Sequence, residues 1–269
     1  MESATSSAAT TPVQRLWAAT ESHGAEEAVE NARKAVDRLR GHKVLRSQSS
    51  RVTAESALRG ARASAALGSL TEAGTDWPLE EVRRRTDLGE EDGSGHLRGA
   101  LRISGELGSL AGVWKRSPIQ ALSRMHLLAA AGSVEPDLIG RPRTPEAATA
   151  LTALATSLRP EESGTVPALV VAAAVHGELL AVLAFGWGDG LIARAAARLV
   201  LADRGLDPQS LAVVEAGHVD LGVENYLEAA RGYASGTADG LAAWLAHYSE
   251  AFVLGTRESL AVCEAIMRG

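Results

Sequence analysis

The 269-residue chain is 46% apolar but only 4% aromatic, so its core is drawn mainly from Ala, Leu and Val, a balance that suits closely packed helices. A formal charge of −6 at pH 7 and a pI near 5.7 work against a nucleic-acid partner, whose phosphates require clustered cations. A single cysteine, Cys263, excludes an internal disulfide, and 24 arginines against three lysines (Lys34, Lys43 and Lys115) read as the codon bias of a GC-rich genome.

Residues 1–12, MESATSSAATTP, carry no periodic apolar signal and are expected to be disordered. They also lack the apolar core of a secretory leader, which with the lone cysteine predicts a cytoplasmic protein. From Val13 the pattern turns helical: Ala25, Ala28, Val29, Ala32, Val36 and Leu39 recur at three and four, opposite Glu26, Glu27, Lys34, Arg38 and Arg40. Residues 13–49 are therefore expected to form an N-terminal helical extension. A second helix built on small residues covers 53–67, with Gly60 at a close-packing point and Gly68 as its stop.

Asp76, Pro78, Glu80 and Glu81 predict a short helix to about residue 86, with the charge run 80–85 as a solvated face and 88–95 as a loop. Residues 96–112 are helical despite Gly99, Gly105 and Gly108, each of which costs about 1 kcal/mol. Ser117-Pro118 opens a helix that stops at Gly132, residues 133–144 are a loop or hairpin, and Thr144-Pro145-Glu146 caps a helix to about Leu158. Residues 166–185, VPALVVAAAVHGELLAVLAF, nearly reach bilayer length. Glu178 near the centre would cost roughly 2.5–3.5 kcal/mol on insertion, so the stretch is a buried helix and no membrane partner is expected. A glycine-rich turn follows, then a helix closing at Gly205, a less regular segment after Asp207-Pro208, and helices over 222–234 and 237–267. The whole is all-α.

The chemistry-bearing stretch is 183–194, LAFGWGDGLIAR, a helix–glycine turn–helix whose backbone N–H groups at the second helix start make a ready anion site. Its pattern resembles that of Fic (Fido-domain) proteins, which carry HPFx[D/E]GNGRxxR between two helices. Phe185, Gly188, Gly190 and Arg194 match in register, and His176 lies seven residues before Leu183, as a family histidine does before the motif's own. Residues 118–144 resemble the family's helix and flap, and Tyr226, Tyr233 and Trp244 its closing helices, so the likeness covers roughly 50–268. It implies a Fic-fold helical bundle with a short flap or hairpin, and transfer of AMP from ATP, with Mg²⁺, to a protein hydroxyl.

The departures from that pattern bear on function. Leu183 stands where the resemblance puts the general base, Trp187 where it puts the acidic metal holder, Asp189 where it puts asparagine, and Leu191 where it puts the first arginine. Losing a positioned base costs ~10²- to 10⁴-fold in rate. A carboxylate at 189 held about 4 Å from a phosphate would be repelled by about 4 kcal/mol at an effective dielectric near 20. Residues 62–69 resemble the family's inhibitory helix, [S/T]xxxE[G/N], with Ser64 in place but Gly68 where the glutamate belongs. The implied protein is a degenerate Fic protein acting through an unidentified protein partner or a small anionic ligand, with ATP and Mg²⁺ as cofactors only if residual family activity persists.

The rival is a divergent enzyme using His176, Asp189 and Arg194 as base, metal ligand and phosphate clamp. Arg194 either binds an anion or pairs with Asp189, and Trp187 either plugs the old pocket or offers a stacking platform. The histidines, at 23, 42, 96, 126, 176, 218 and 247, show no three- or four-residue spacing, so no metal site is expected. His126 and His176 read as core residues, and so does Cys263.

Overall fold

A computed structural model describes residues 10–21, 24–84 and 94–268. Thirteen helices and no strand occur among the described residues. Thr11 opens α1 (Pro12–Thr20) with a reciprocal cap: its hydroxyl accepts the Gln14 N–H while the Gln14 side chain accepts the Thr11 N–H. Thr11 and Pro12, expected to be structureless, thus cap and open a helix; residues 1–9 and His23 lie outside the described residues. The extension continues as α2 (Ala25–Arg40), which buries Ala25, Ala32, Val36 and Leu39 as the three-four spacing predicts.

α3 (Leu45–Leu67) begins earlier than expected but ends where glycine stops it, at Gly68 with φ +61°. The small side of α3 is needed: a Cβ on Gly60 would come within 2.5 Å of an Arg198 guanidinium nitrogen and 3.3 Å of Glu215 Oε2. α4 (Leu79–Arg84) is the short acidic-start helix, and the expected loop over 88–95 falls mostly outside the described residues. α5 (Gly95–Arg116) and α6 (Pro118–Ala130) join at Ser117, whose hydroxyl accepts the Gln120 N–H. Between α6 and α7 (Pro145–Ser157) the chain makes turns and bends without a strand, so the hairpin alternative gives way to a loop. That loop is fastened to the glycine turn by the Arg143 N–H donating to the Ala184 carbonyl at 2.9 Å.

A single turn, α8 (Pro160–Ser163), leads into α9 (Ala168–Val182) and α10 (Asp189–Asp203), which pack against each other at the centre. α9 is buried almost all round, as a helix with no polar face must be. Its one acid, Glu178, is paired at 2.9 Å with Arg15 of α1 and accepts the Tyr233 hydroxyl at 3.0 Å, which removes the cost of its burial. No described helix is long and apolar enough to cross a membrane. α11 (Val214–Asp220), α12 (Val223–Ser235) and the 31-residue α13 (Ala238–Arg268) close the bundle, with α13 running across α1, α2, α11 and α12. α11 lies in the stretch read as irregular, because seven residues are too few to show a period. Trp244 of α13 donates its indole N–H to the Ala173 carbonyl at 2.8 Å, and Gly177 lies so close to Tyr233 that a Cβ would sit 2.6 Å from the ring.

Candidate functional site

The turn between α9 and α10 is shaped by three left-handed residues: Leu183 (φ +47°), Gly186 (φ +79°) and Gly188 (φ +67°). Leucine pays for that conformation with about 1–2 kcal/mol, so the cap at 183 is held by its surroundings. Gly188 is the N-cap of α10, and its N–H points outward at the helix start where an anion would sit.

That position is taken by the chain itself. The Glu72 carboxylate, from the loop after α3, accepts the Gly188 N–H through both oxygens, at 3.2 and 3.0 Å. His96 at the start of α5 bonds the same carboxylate through Nε2 at 3.2 Å, and its ring stacks on Trp187 at 4.8 Å between centroids. Burial pushes the Glu72 carboxyl up, but the bonds from His96 and Gly188, the His96 charge and the Ser69 hydroxyl together hold it below the ordinary glutamate range. Trp187 is half-buried, packed on the core and with its ring face on the chain's own His96.

Asp189 does not project toward a ligand. Its carboxylate turns back over the turn and accepts the Phe185 N–H at 2.9 Å and the Gly186 N–H at 2.7 Å, at 3% exposure. Burial, against those two bonds and Arg143 and with Glu72 nearby, pushes its pKa up to about 6. The repulsion expected at 189 is therefore misplaced: the charge facing the Gly188 N–H belongs to Glu72.

Arg194 neither pairs with Asp189 nor faces open solvent. Its Nε–H donates to Ser64 Oγ at 2.8 Å, Nη2–H to the Ser64 carbonyl at 2.8 Å, and Nη1–H to the Gly68 carbonyl at 2.9 Å and Tyr226 Oη at 3.0 Å. A cation on the last carbonyls of a helix is favourable, and here Arg194 caps α3. The structure thus brings Ser64, Gly68, Gly190 and Arg194 together across 130 residues of sequence. Contact is tight enough that a Cβ on Gly190 would lie 2.3 Å from the Gly68 carbonyl oxygen. A Cβ on Gly68 would lie 2.2 Å from the Glu72 carbonyl oxygen, so no glutamate fits at 68 while the loop keeps this path.

His176 is 1% exposed in a core of Trp244, Tyr248, Tyr226 and His218, and reaches Arg194 only through the shared Tyr226 hydroxyl, 2.9 Å from its Nε2. With Asp189 locked on the turn, the three residues of the rival catalytic set share no cleft. Sequence reasoning missed Glu72, His96, His218 and His247, none of which stands in a motif or a periodic pattern. His126, also in the core, accepts the Gly140 N–H at Nδ1 and stacks on Phe185 at 4.5 Å, with burial holding its pKa down to about 4 despite nearby Glu72. Cys263 is buried among Leu39, Val44, Val52 and Leu211. Among the described residues no group of three or more His, Cys, Asp or Glu is arranged to hold a metal ion.

Fold and turn together define an all-helical protein with a glycine turn at the N-terminus of a buried central helix. Among solved structures, the chain is similar to a Fic family protein from Desulfovibrio desulfuricans G20, with a TM-score of 0.64 over 87% of this chain and 74% of that one, at 19% identity. The likeness shows a Fic-type all-α fold. No protein-family model matches the sequence, and no curated protein does.

Proposed function

We propose that this chain is a Fic-fold protein that has lost AMP transfer and acts by binding, as a regulatory or partner-binding pseudoenzyme. The observation that carries the reading is that the groups a nucleotide would need are all used internally. Gly188 N–H is on Glu72, the Asp189 carboxylate is on the Phe185 and Gly186 N–H groups, and four donors of Arg194 are on α3 and Tyr226. Leu183, at the position of the family's base, accepts no proton, and Trp187, at the position of the metal-holding acid, offers no oxygen. These residues do not fit a magnesium–nucleotide.

Purified protein incubated with labelled ATP and Mg²⁺, alone and with cell lysate, should label neither itself nor a lysate protein. Labelling above a heat-killed control defeats the reading. The quadruple variant Leu183→His, Trp187→Asp, Asp189→Asn and Leu191→Arg, combined with Glu72→Ala, restores the missing groups and clears the turn. Histidine tolerates the left-handed backbone at 183 better than leucine does. Labelling by this variant alone supports a scaffold that lost its chemistry residue by residue.

A further inference from the structure

Five residues that each carry a buried, unpartnered polar atom line one small space between α9, α10, α11 and α13, Arg198 and Glu215 also bordering the neighbouring space at Gly60. His176 Nδ1, His218 Nε2, Tyr248 Oη, Arg198 Nε and Glu215 Oε2 have no protein partner, and all five residues line a cavity with about 10 Å³ open to the centre of a water molecule. None of these residues is more than 5% exposed. Leaving so many buried polar atoms unpaired around one space is rare in folded proteins.

The neighbouring bonds fix what the space can hold. Arg194 can only donate to Tyr226 Oη, so the Tyr226 hydroxyl is free to donate to His176 Nε2. In a neutral imidazole the proton then resides on Nδ1, so His176 presents a donor to the cavity. Burial first, then the Arg194 and His247 charges, holds His176 in that neutral form, and burial with His176, His247 and Arg194 does the same for His218. Arg198 offers a second donor and Glu215 an acceptor; the two are themselves 3.5 Å apart and cancel in charge. A cation would meet the N–H groups of His176 and Arg198, and an anion the Glu215 carboxylate. A neutral molecule of water's size that both donates and accepts can meet up to four of these groups, two as donor and two as acceptor.

We propose that this cavity is a binding site for one structural water, which accepts from His176 Nδ1–H and joins it to Glu215, His218 and Tyr248. The water completes a hydrogen-bonded chain. It runs from Ser64 through Arg194, Tyr226 and His176, across the water to His218, and on to half-buried His247, 3.0 Å from His218 Nδ1. The end of α3 under the glycine turn is thereby connected to α13 on the far side of the core.

A crystal structure of the intact chain at about 1.8 Å or better is the direct test. The expected result is one isolated density peak about 2.6–3.2 Å from His176 Nδ1 and from at least two of Glu215 Oε2, His218 Nε2 and Tyr248 Oη. An empty cavity, side chains bonded directly across it, or a peak at metal-ligand distances of about 2.0–2.2 Å overturns the assignment. Tyr248→Phe gives an independent readout in solution. With the water present it removes a bond and lowers the melting temperature by a few degrees; a higher melting temperature would show that the hydroxyl had been an orphan and would count against the water.

Discussion

Replacing Glu72 by alanine removes the carboxylate from the N-terminus of α10 without touching the loop's own backbone bonds, Ser69 N–H to the Glu72 carbonyl and Glu72 N–H to Ser69 Oγ. Bonds to a charged acceptor are worth about 1.5–3 kcal/mol, and an anion at a helix start adds about 0.3–1 kcal/mol. Against these stands the cost of holding a carboxylate at 15% side-chain exposure, so the net loss is about 2 kcal/mol. For a chain of this size that is a fall of about 4–8 °C in melting temperature at pH 7. The sign with pH follows from the depressed carboxyl. Its stabilisation is present above the ordinary value of 4.5 and is lost as pH falls through the lower folded value, so the gap between parent and variant closes in acid. The assay is differential scanning fluorimetry over pH, repeated in inorganic phosphate. With the Gly188 N–H freed, phosphate should raise the melting temperature of Glu72→Ala more than that of the parent. Equal melting temperatures at pH 7 with equal phosphate responses would refute the claim that this carboxylate fills the turn.

Arg194→Met should cost at least about 3 kcal/mol in urea unfolding, because it leaves two α3 carbonyls and the Ser64 and Tyr226 hydroxyls without their donor. Gly68→Ala combines a positive φ with a contact of 2.2 Å to backbone and should destabilise by more than about 2 kcal/mol, read as a lower denaturation midpoint. Gly177→Ala drives a methyl into the Tyr233 ring, an overpacking cost of about 1–3 kcal/mol visible in the same experiment. His126, with its folded pKa near 4 against 6.5 unfolded, contributes stability that is full above about 6.5 and is lost as pH falls from there through about 4. The difference in melting temperature between parent and His126→Gln should therefore shrink over that window. Asp189, raised to about 6, acts oppositely, its stabilisation being full below 3.8 and lost as pH rises through 6, which is why the variant comparison is needed.

The helices were legible because caps and stops are local chemistry. Gly68, Ser117-Pro118, Thr144-Pro145 and Gly205 punctuate the chain where the sequence says they should, and the small residues of α3 and α9 announce close packing. The pairing of α3 with Arg194 was not legible, since no local signal links residues 64 and 194. Asp189 misled because residue type gives charge and not direction. The left-handed turn carries the N–H groups of residues 185 and 186 back over the helix start, and the side chain at 189 follows them. Glu72 was invisible for a related reason: a single acid in a loop has no period, and its role is set by the reversal at Gly68. The histidines at 176, 218 and 247 show no sequence spacing at all, yet three helices fold them into one cluster.

The central claim, that the chain's own groups fill the turn at the start of α10, is met most directly by isothermal titration of ATP with Mg²⁺ into the purified protein. The account predicts no saturable heat for the parent. A one-to-one isotherm of micromolar affinity that Arg194→Met abolishes, in a variant shown by circular dichroism to be folded, would contradict it.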